Sequence, residues 1–128
     1  MPDKILLIEN DHGAREIMRI ALERNGYEVA TSDNGVSGYD MSFFIKPDLI
    51  VTAIGPNGMD GMGVLRRVRG TALLEDIPVI VTTAFGTGSA TFALQQGANG
   101  FEPKPIDAHS LLCTVRRLLG NRRSKKAA

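Results

Sequence analysis

Short apolar runs typical of β-strands alternate with stretches of helical periodicity along the whole chain, and no other feature constrains the fold as much. Residues 5–8 form the first such run, and its unbroken apolar character is expected of a strand covered on both faces. Residues 14–22 then repeat apolar side chains at helical spacing, and Asn25-Gly26 is typical of a helix end. Strict alternation of strand and helix predicts a parallel sheet with helices on both sides.

The chain divides into five predicted strands and five predicted helices. The strands are expected at residues 5–8, 27–31, 49–53, 77–83 and 100–102. The helices are expected at residues 14–22, around the apolar face Val36, Tyr39 and Phe43, around Met62, Leu65 and Val68, at residues 89–96, and from Asp107 to a stop at Gly120. The predicted fold class is therefore α/β, with a doubly wound five-stranded parallel sheet.

Length and charge suggest the domain boundaries. The 128 residues, 43% of them hydrophobic, suit one globular domain, which we place at residues 4–120. Residues 1–115 contain nine basic and all fourteen acidic residues, whereas the other six basic residues follow residue 115. Because residues 121–128 lack apolar periodicity, they are predicted to form a basic, flexible C-terminal tail. Nucleic-acid binding by this tail is the less favoured interpretation.

Composition also bounds the cellular setting. Cys113 is the only cysteine, so the chain cannot form an internal disulfide. Residues 1–10 lack the pattern of a secretory signal, and with the single thiol this predicts a cytoplasmic protein. No apolar run approaches the roughly 20 residues that cross a bilayer, so no membrane association is expected.

Polar residues follow three of the predicted strands, at the edge where open parallel sheets bind their ligands. Glu9, Asn10 and Asp11 follow the first strand, Thr83 ends the fourth, and Lys104 follows the fifth. An acidic cluster, a hydroxyl and a lysine from separate strands are the layout of a pocket for phosphate, or for phosphate with a metal ion.

Segments at these strand ends resemble the receiver domains of two-component response regulators. The matching segments are, in order, KILLIENDHGAR, NGYEV, PDLIV, GMDG, IPVIVTTA, LQQGANGF and KP, and they cover residues 4 to about 120. The resemblance implies a flavodoxin-like fold with strand order 2-1-3-4-5. It also implies a signalling module rather than an enzyme, in which a kinase phosphohistidine donates a phosphoryl group to an aspartate at the end of the third strand.

The resemblance assigns roles to individual positions of this chain. It implies that Mg²⁺ would be held by Glu9, Asn10 and Gly55, and that Thr83 and Lys104 would contact the phosphoryl oxygens. Phe101 would be the aromatic side chain that moves with the threonine on activation. A histidine kinase, a phosphotransfer protein or a downstream target would contact the surface formed by the fourth helix, fifth strand and fifth helix.

The acceptor position departs from the family pattern. Counting forward from PDLIV and backward from GMDG places the acceptor at residue 53, which is alanine. A methyl group cannot form an acyl phosphate, and Asp60, beyond the loop, is only a distant alternative. Glu9 and Lys104 give the pocket no net charge, so we expect weak Mg²⁺ binding and no other cofactor. We also expect Lys104, deprived of an aspartate partner, to pair with Glu9.

The sequence therefore predicts a stand-alone receiver protein that is not phosphorylated as it stands and acts through protein–protein contacts. The alternative is an acceptor-removed variant of a phospho-accepting regulator, with aspartate at residue 53 in its parent. Asn10 in place of a second acid favours a natural pseudo-receiver. A flavin carrier is disfavoured because no Ser/Thr-rich loop follows the first strand and the chain has no Trp. Nucleic-acid binding through the tail ranks below both receiver hypotheses.

Overall fold

The computed structural model describes residues 2–54, 60–84 and 87–127, and the predicted alternation of strands and helices is confirmed there. The strands are β1 (Lys4–Ile8), β2 (Glu28–Ser32), β3 (Leu49–Ile54), β4 (Val79–Thr83) and β5 (Gly100–Pro103). The helices are α1 (His12–Arg24), α2 (Gly35–Ile45), α3 (Gly61–Arg69), α4 (Thr87–Gln95) and α5 (Ala108–Ala127). The strand bounds differ from the predicted ones by at most two residues.

The five strands form one parallel sheet in the order β2-β1-β3-β4-β5, as predicted. In the register of this sheet, Ile8 pairs with Thr52, and Ala53 pairs with Thr82. Because all strands run the same way, the carboxyl ends of β1, β3, β4 and β5 meet at one edge. That edge carries the candidate site.

The two faces of the sheet form two apolar cores, because side chains alternate across each strand. Helices α2, α3 and α4 cover one face, and α1 and α5 cover the other. The strand residues of these cores are Leu6, Ile8, Ile50, Val79 and Val81 on the first face and Ile5, Leu7, Leu49, Val51 and Ile80 on the second. Each is at most 1% exposed, so each burial is worth about 1.5–3 kcal/mol of transfer free energy.

Helix α2 lies close to β1, and the two residues that it buries fully are small. Gly38 and Ser42 are its buried residues, and a Cβ atom at Gly38 would lie 2.5 Å from Ile8 Cδ1. The helix predicted around Val36, Tyr39 and Phe43 is confirmed, although these three residues are not the ones that it buries fully. Val36 is 63% exposed and Phe43 is 37% exposed, and of the three only Tyr39 packs partly against the core. The close approach of the backbones forces the bulky side chains to the flanks of the helix.

The sequence analysis predicted that helix α5 stops at Gly120. The helix instead continues to Ala127. Arg122 donates hydrogen bonds to the Asp48 carbonyl (2.8 Å) and to Asp48 Oδ1 (3.2 Å), and Arg123 forms an ion pair with Asp3. These contacts across the amino end of the sheet offset the cost of a glycine inside a helix, about 1 kcal/mol. Residues 121–127 are thus helical, and their flexibility in solution stays a prediction.

Helix α5 has 20 residues, a length that would suffice to cross a bilayer if the helix were apolar. It carries six basic residues instead. Within the described ranges, no helix is both long enough and apolar enough to cross a membrane.

The continuation of α5 predicts the effect of a Gly120→Ala substitution. Gly120 lies inside the helix, and an added Cβ atom would meet nothing within 4 Å. We expect the free energy of unfolding to rise by about 0.5–1 kcal/mol, measured by urea denaturation. Gly26→Ala is the matched control and should be destabilising, because Gly26 has a φ of 90°. An unchanged stability for Gly120→Ala would mean that the helix ends near residue 120 in solution.

Candidate functional site

Four residues expected in the pocket come together at the carboxyl edge of the sheet. Glu9 directly follows β1, Ala53 lies near the end of β3, Thr83 ends β4 and Lys104 follows β5. The Lys104 backbone N–H donates a hydrogen bond of 2.9 Å to the Thr83 carbonyl, which ties the β5–α5 connection to the end of β4. The parallel register of the sheet therefore brings these four residues to one edge.

Glu9 and Lys104 form an ion pair at this edge, as predicted. Lys104 Nζ lies 2.5 Å from Glu9 Oε1, and Glu9 is fully buried whereas the Lys104 side chain is 22% exposed. The second carboxylate oxygen, Oε2, accepts a hydrogen bond of 3.2 Å from the Asp11 backbone N–H. Among the described residues no hydrogen bond of normal geometry reaches Oε1, so the ammonium group is the only partner found for that oxygen.

The buried carboxylate of Glu9 depends on Lys104 for its stability. An ionised carboxylate away from water costs several kcal/mol unless a cation or hydrogen-bond donors compensate for it. One backbone N–H and one ammonium group supply that compensation here. Each group of the pair neutralises the charge of the other, so neither Glu9 nor Lys104 is a free charge.

Arg15 fixes the corner between β1 and α1, a role that the sequence analysis missed. Its Nη1 donates a hydrogen bond of 2.8 Å to the Glu9 carbonyl, and its Nη2 lies 3.2 Å from His12 Nδ1. Asp11 caps α1, because its Oδ2 accepts a hydrogen bond of 2.7 Å from the Ala14 N–H. Asp11 is therefore engaged at the helix start. An arginine in the first turn of this helix was the available sequence signal.

Ala53 is 1% exposed and sits where the chain after β3 folds back on itself. Ile54 forms an isolated antiparallel bridge with Asp60, and a Cβ atom at Gly61 would lie only 2.3 Å from the Ala53 carbonyl oxygen. Gly61 is therefore needed for this close approach. The Asp60 carboxylate is exposed and caps α3 through a 2.8 Å hydrogen bond from the Gly63 N–H. Nothing in this arrangement supports Asp60 as the acceptor.

The other expected site residues belong to β4, β5 and the segment after β1. Thr83 is fully buried, Asn10 is partly exposed beside Glu9, and Phe101 is partly buried opposite Val81 in the register of β4 and β5. Gly55, expected as a metal ligand, lies outside the described residues.

Glu102 on β5 is a second buried carboxylate, which the sequence analysis did not single out. It is 5% exposed, and its two oxygens accept hydrogen bonds of 2.8 and 3.1 Å from the Ser110 hydroxyl. The Thr114 hydroxyl, one turn further along α5, lies 3.4 Å from Glu102 Oε1. Ser110 and Thr114 are four residues apart and therefore lie on one face of α5. This spacing was the sequence signal for a polar cluster around Glu102. This cluster joins β5 to α5 beneath the surface expected to contact partners.

Curated relatives of the chain are response regulators. The model of the response regulator receiver domain matches residues 5–116. The response regulator MprA of Mycobacterium tuberculosis is 36% identical over 129 residues, covering all of this chain and 55% of the relative. MprA of a Mycobacterium species (strain KMS) is 36% identical over 120 residues, covering 93% of this chain and 51% of the relative. The chain thus spans about half the length of these curated relatives.

Solved structures share the architecture. The signal receiver domain of a histidine kinase from Syntrophus aciditrophicus is 30% identical with a TM-score of 0.83, covering 93% of this chain and 91% of that one. A protein described as a response regulator from Chloroflexus aurantiacus is 28% identical with a TM-score of 0.87, covering 94% and 99%. A CheY-like receiver domain from Methanospirillum hungatei, 21% identical with a TM-score of 0.88 over 98% and 99%, shares the fold.

The ion pair predicts a large effect of Lys104→Met. Removing the ammonium group leaves the Glu9 carboxylate buried without a cation, so the free energy of unfolding should fall by about 2–3 kcal/mol. The partial exposure of Lys104 keeps this below the cost of breaking a fully buried pair. Urea denaturation measures the change, and Lys125→Met, at an exposed lysine, is the control.

A double-mutant cycle isolates the interaction between the two side chains. The Glu9→Gln/Lys104→Met double variant should be more stable than the sum of the two single substitutions predicts, by at least about 1 kcal/mol. Additive effects would show that the ion pair contributes little in solution.

Proposed function

Because the chain belongs to the response regulator receiver domain family, we propose that it is a receiver module of two-component signalling that works without an aspartyl phosphate. Its output is protein–protein contact. The observation that carries this proposal is the alanine at residue 53, at the end of β3 and next to the Glu9–Lys104 pair. Acyl phosphate formation needs a carboxylate, and a methyl group supplies none.

The donor set around Ala53 does not fit a tightly held Mg²⁺. Of Glu9, Asn10 and Gly55, only Glu9 is a carboxylate, and Lys104 already neutralises it. Asp11, the nearest other acid, is committed to capping α1. Within residues 2–54, 60–84 and 87–127, no group of three or more His, Cys, Asp or Glu side chains is arranged to hold a metal ion. Mg²⁺ gives up its water reluctantly and needs carboxylates to replace it.

The ion pair favours a single arrangement of the pocket. In a receiver with an acceptor aspartate, Lys104 would form ion pairs with that aspartate and with any phosphoryl group. Here it is held on Glu9, and its backbone is bonded to the Thr83 carbonyl. We expect Thr83 and Phe101 to keep one conformation as a result, so the module presents one constant surface to its partners.

The surface proposed for partner contact consists of α4, β5 and α5. Phe92 on α4 is 45% exposed and Phe101 on β5 is partly exposed. Beneath this surface the Glu102 cluster holds β5 and α5 together. A signalling partner such as a histidine kinase, a phosphotransfer protein or a downstream target would bind to this surface.

An acceptor-removed variant of an ordinary regulator is the second candidate. It is favoured by Thr83, Phe101 and Lys104, which all stand where a phospho-accepting receiver uses them. Asn10, in place of a second acid, favours the natural pseudo-receiver instead. The codon for residue 53 in the genome of the source organism distinguishes the two. Nucleic-acid binding ranks lower, because Arg122 and Arg123 are already paired with Asp48 and Asp3.

Phosphoryl transfer to residue 53 is tested by an isosteric pair of variants. The unchanged protein, Ala53→Asn and Ala53→Asp are incubated with acetyl phosphate and Mg²⁺, and phosphorylation is read from the intact mass. We expect no phosphoryl group on the first two, because neither has a carboxylate at this position. Labelling of the unchanged protein at a carboxylate of this pocket would contradict the proposal. Labelling of Ala53→Asp would favour the acceptor-removed variant, and its absence would favour the natural pseudo-receiver.

Metal binding gives an independent test with stability as the readout. Ala53→Asp places a second carboxylate beside Glu9, so it should be less stable than the unchanged protein without metal, by about 1 kcal/mol. At Mg²⁺ about ten times above the dissociation constant, the variant should regain about 1.4 kcal/mol. The unchanged protein should show no such gain in the same thermal denaturation series. Stabilisation of the unchanged protein by sub-millimolar Mg²⁺ would contradict the proposed loss of the metal site.

A further inference from the structure

A cavity of about 270 Å³ opens at the amino end of the sheet, opposite the candidate site. Three elements form its walls: the end of α2 with Phe43 and Lys46, the turn between α3 and β4 with Leu73 and Leu74, and Arg122 of α5. An apolar cavity of about 150 Å³ already accommodates a benzene ring, so this one has room for a leucine side chain.

Leu73 projects from a rigid turn at the rim of this cavity. It is 84% exposed, whereas its neighbour Leu74 is buried. The Arg69 guanidinium donates hydrogen bonds to the carbonyls of Glu75 (3.1 Å) and Ile77 (2.8 Å), and the Leu74 N–H donates to the Thr71 carbonyl (2.9 Å). These bonds tie the turn backbone to α3, and the Leu73 side chain points outward from it. The exposed leucine is therefore preorganised for contact with another molecule.

The same surface carries charges of both signs around its apolar centre. Lys46 and Arg122 stand on the walls supplied by α2 and α5. Glu75 and Asp76 follow Leu73 on the turn, and both are exposed. In the part of the chain that the structure describes, Lys46, Glu75 and Asp76 form no ion pair. The turn that carries Leu73 is thus acidic, whereas two basic residues line the cavity.

We propose that this surface binds the same surface of a second copy of the chain. A twofold axis through the apolar centre would insert Leu73 of each copy into the cavity of the other. It would also bring the acidic turn of each copy against Lys46 of the other, as an isologous interface requires. A partner of a single charge would satisfy only one side of the surface, and the presence of both signs therefore favours a second copy.

The proposed dimer goes beyond the proposed function and does not depend on it. The cavity lies at the amino end of the sheet, since Pro47 and Ile77 precede β3 and β4. The carboxyl ends of the strands, which carry the candidate site, lie at the far side of each copy and outside the proposed interface. Two partner-contact surfaces would then face outward, which strengthens binding to a partner that carries two sites.

Sedimentation velocity of the full chain across the micromolar range tests the proposal. We expect a concentration-dependent dimer, and Leu73→Ser should raise its dissociation constant about tenfold or more. Phe44→Ser is the matched control, because Phe44 is 86% exposed but lies outside this cavity. Circular dichroism of each variant verifies that it is folded. A chain that stays monomeric, or a dimer weakened equally by both substitutions, would overturn the proposal.

Charge reversal tests the geometry of the interface. Lys46→Glu should weaken the dimer by repulsion from the acidic turn, and adding Glu75→Lys in the same chain should restore it. Both side chains are exposed, so neither change disturbs the core. A double variant no stronger than Lys46→Glu alone would overturn the proposed pairing of these two side chains.

Discussion

The contact between Lys104 and Glu9 is the interaction on which the candidate site depends. A carboxylate that is 0% exposed is sustained by one ammonium group and one backbone N–H. A buried charge is tolerated only when its partner stays in place. The pair therefore fixes Lys104, and with it the connection between β5 and α5. In the proposed function this contact takes the position that phosphoryl and metal charges would otherwise occupy.

Small residues at two positions allow the sheet edge to assume this shape. Gly38 lets α2 approach Ile8, and Gly61 lets the chain after β3 return against the Ala53 carbonyl. A side chain at either position would push a helix away from the sheet and would move the strand ends that carry the site. Arg15 adds a further constraint by binding the Glu9 carbonyl from α1. The site is therefore positioned by backbone packing as much as by its own side chains.

Features that depend on local sequence patterns could be predicted, whereas some features that depend on contacts between residues distant in sequence could not. Strand bounds were predictable from hydrophobic periodicity, and the meeting of Glu9 with Lys104 from charges at parallel strand ends. The strand order was implied by the resemblance to receiver domains. The buried face of α2 was not predictable in this way, since Gly38 gives no hydrophobic signal although it makes the closest approach. The continuation of α5 past Gly120 was missed because it depends on Asp48 and Asp3, which are distant in sequence.

The central claim is that the ion pair holds the pocket in one state. NMR relaxation dispersion of the Thr83 methyl group and the Phe101 ring measures exchange between states on the microsecond to millisecond timescale. We expect flat profiles for the unchanged protein and exchange at both residues in Lys104→Met. Exchange of equal size in both proteins would contradict this claim, because the pocket would then switch whether or not the pair is formed.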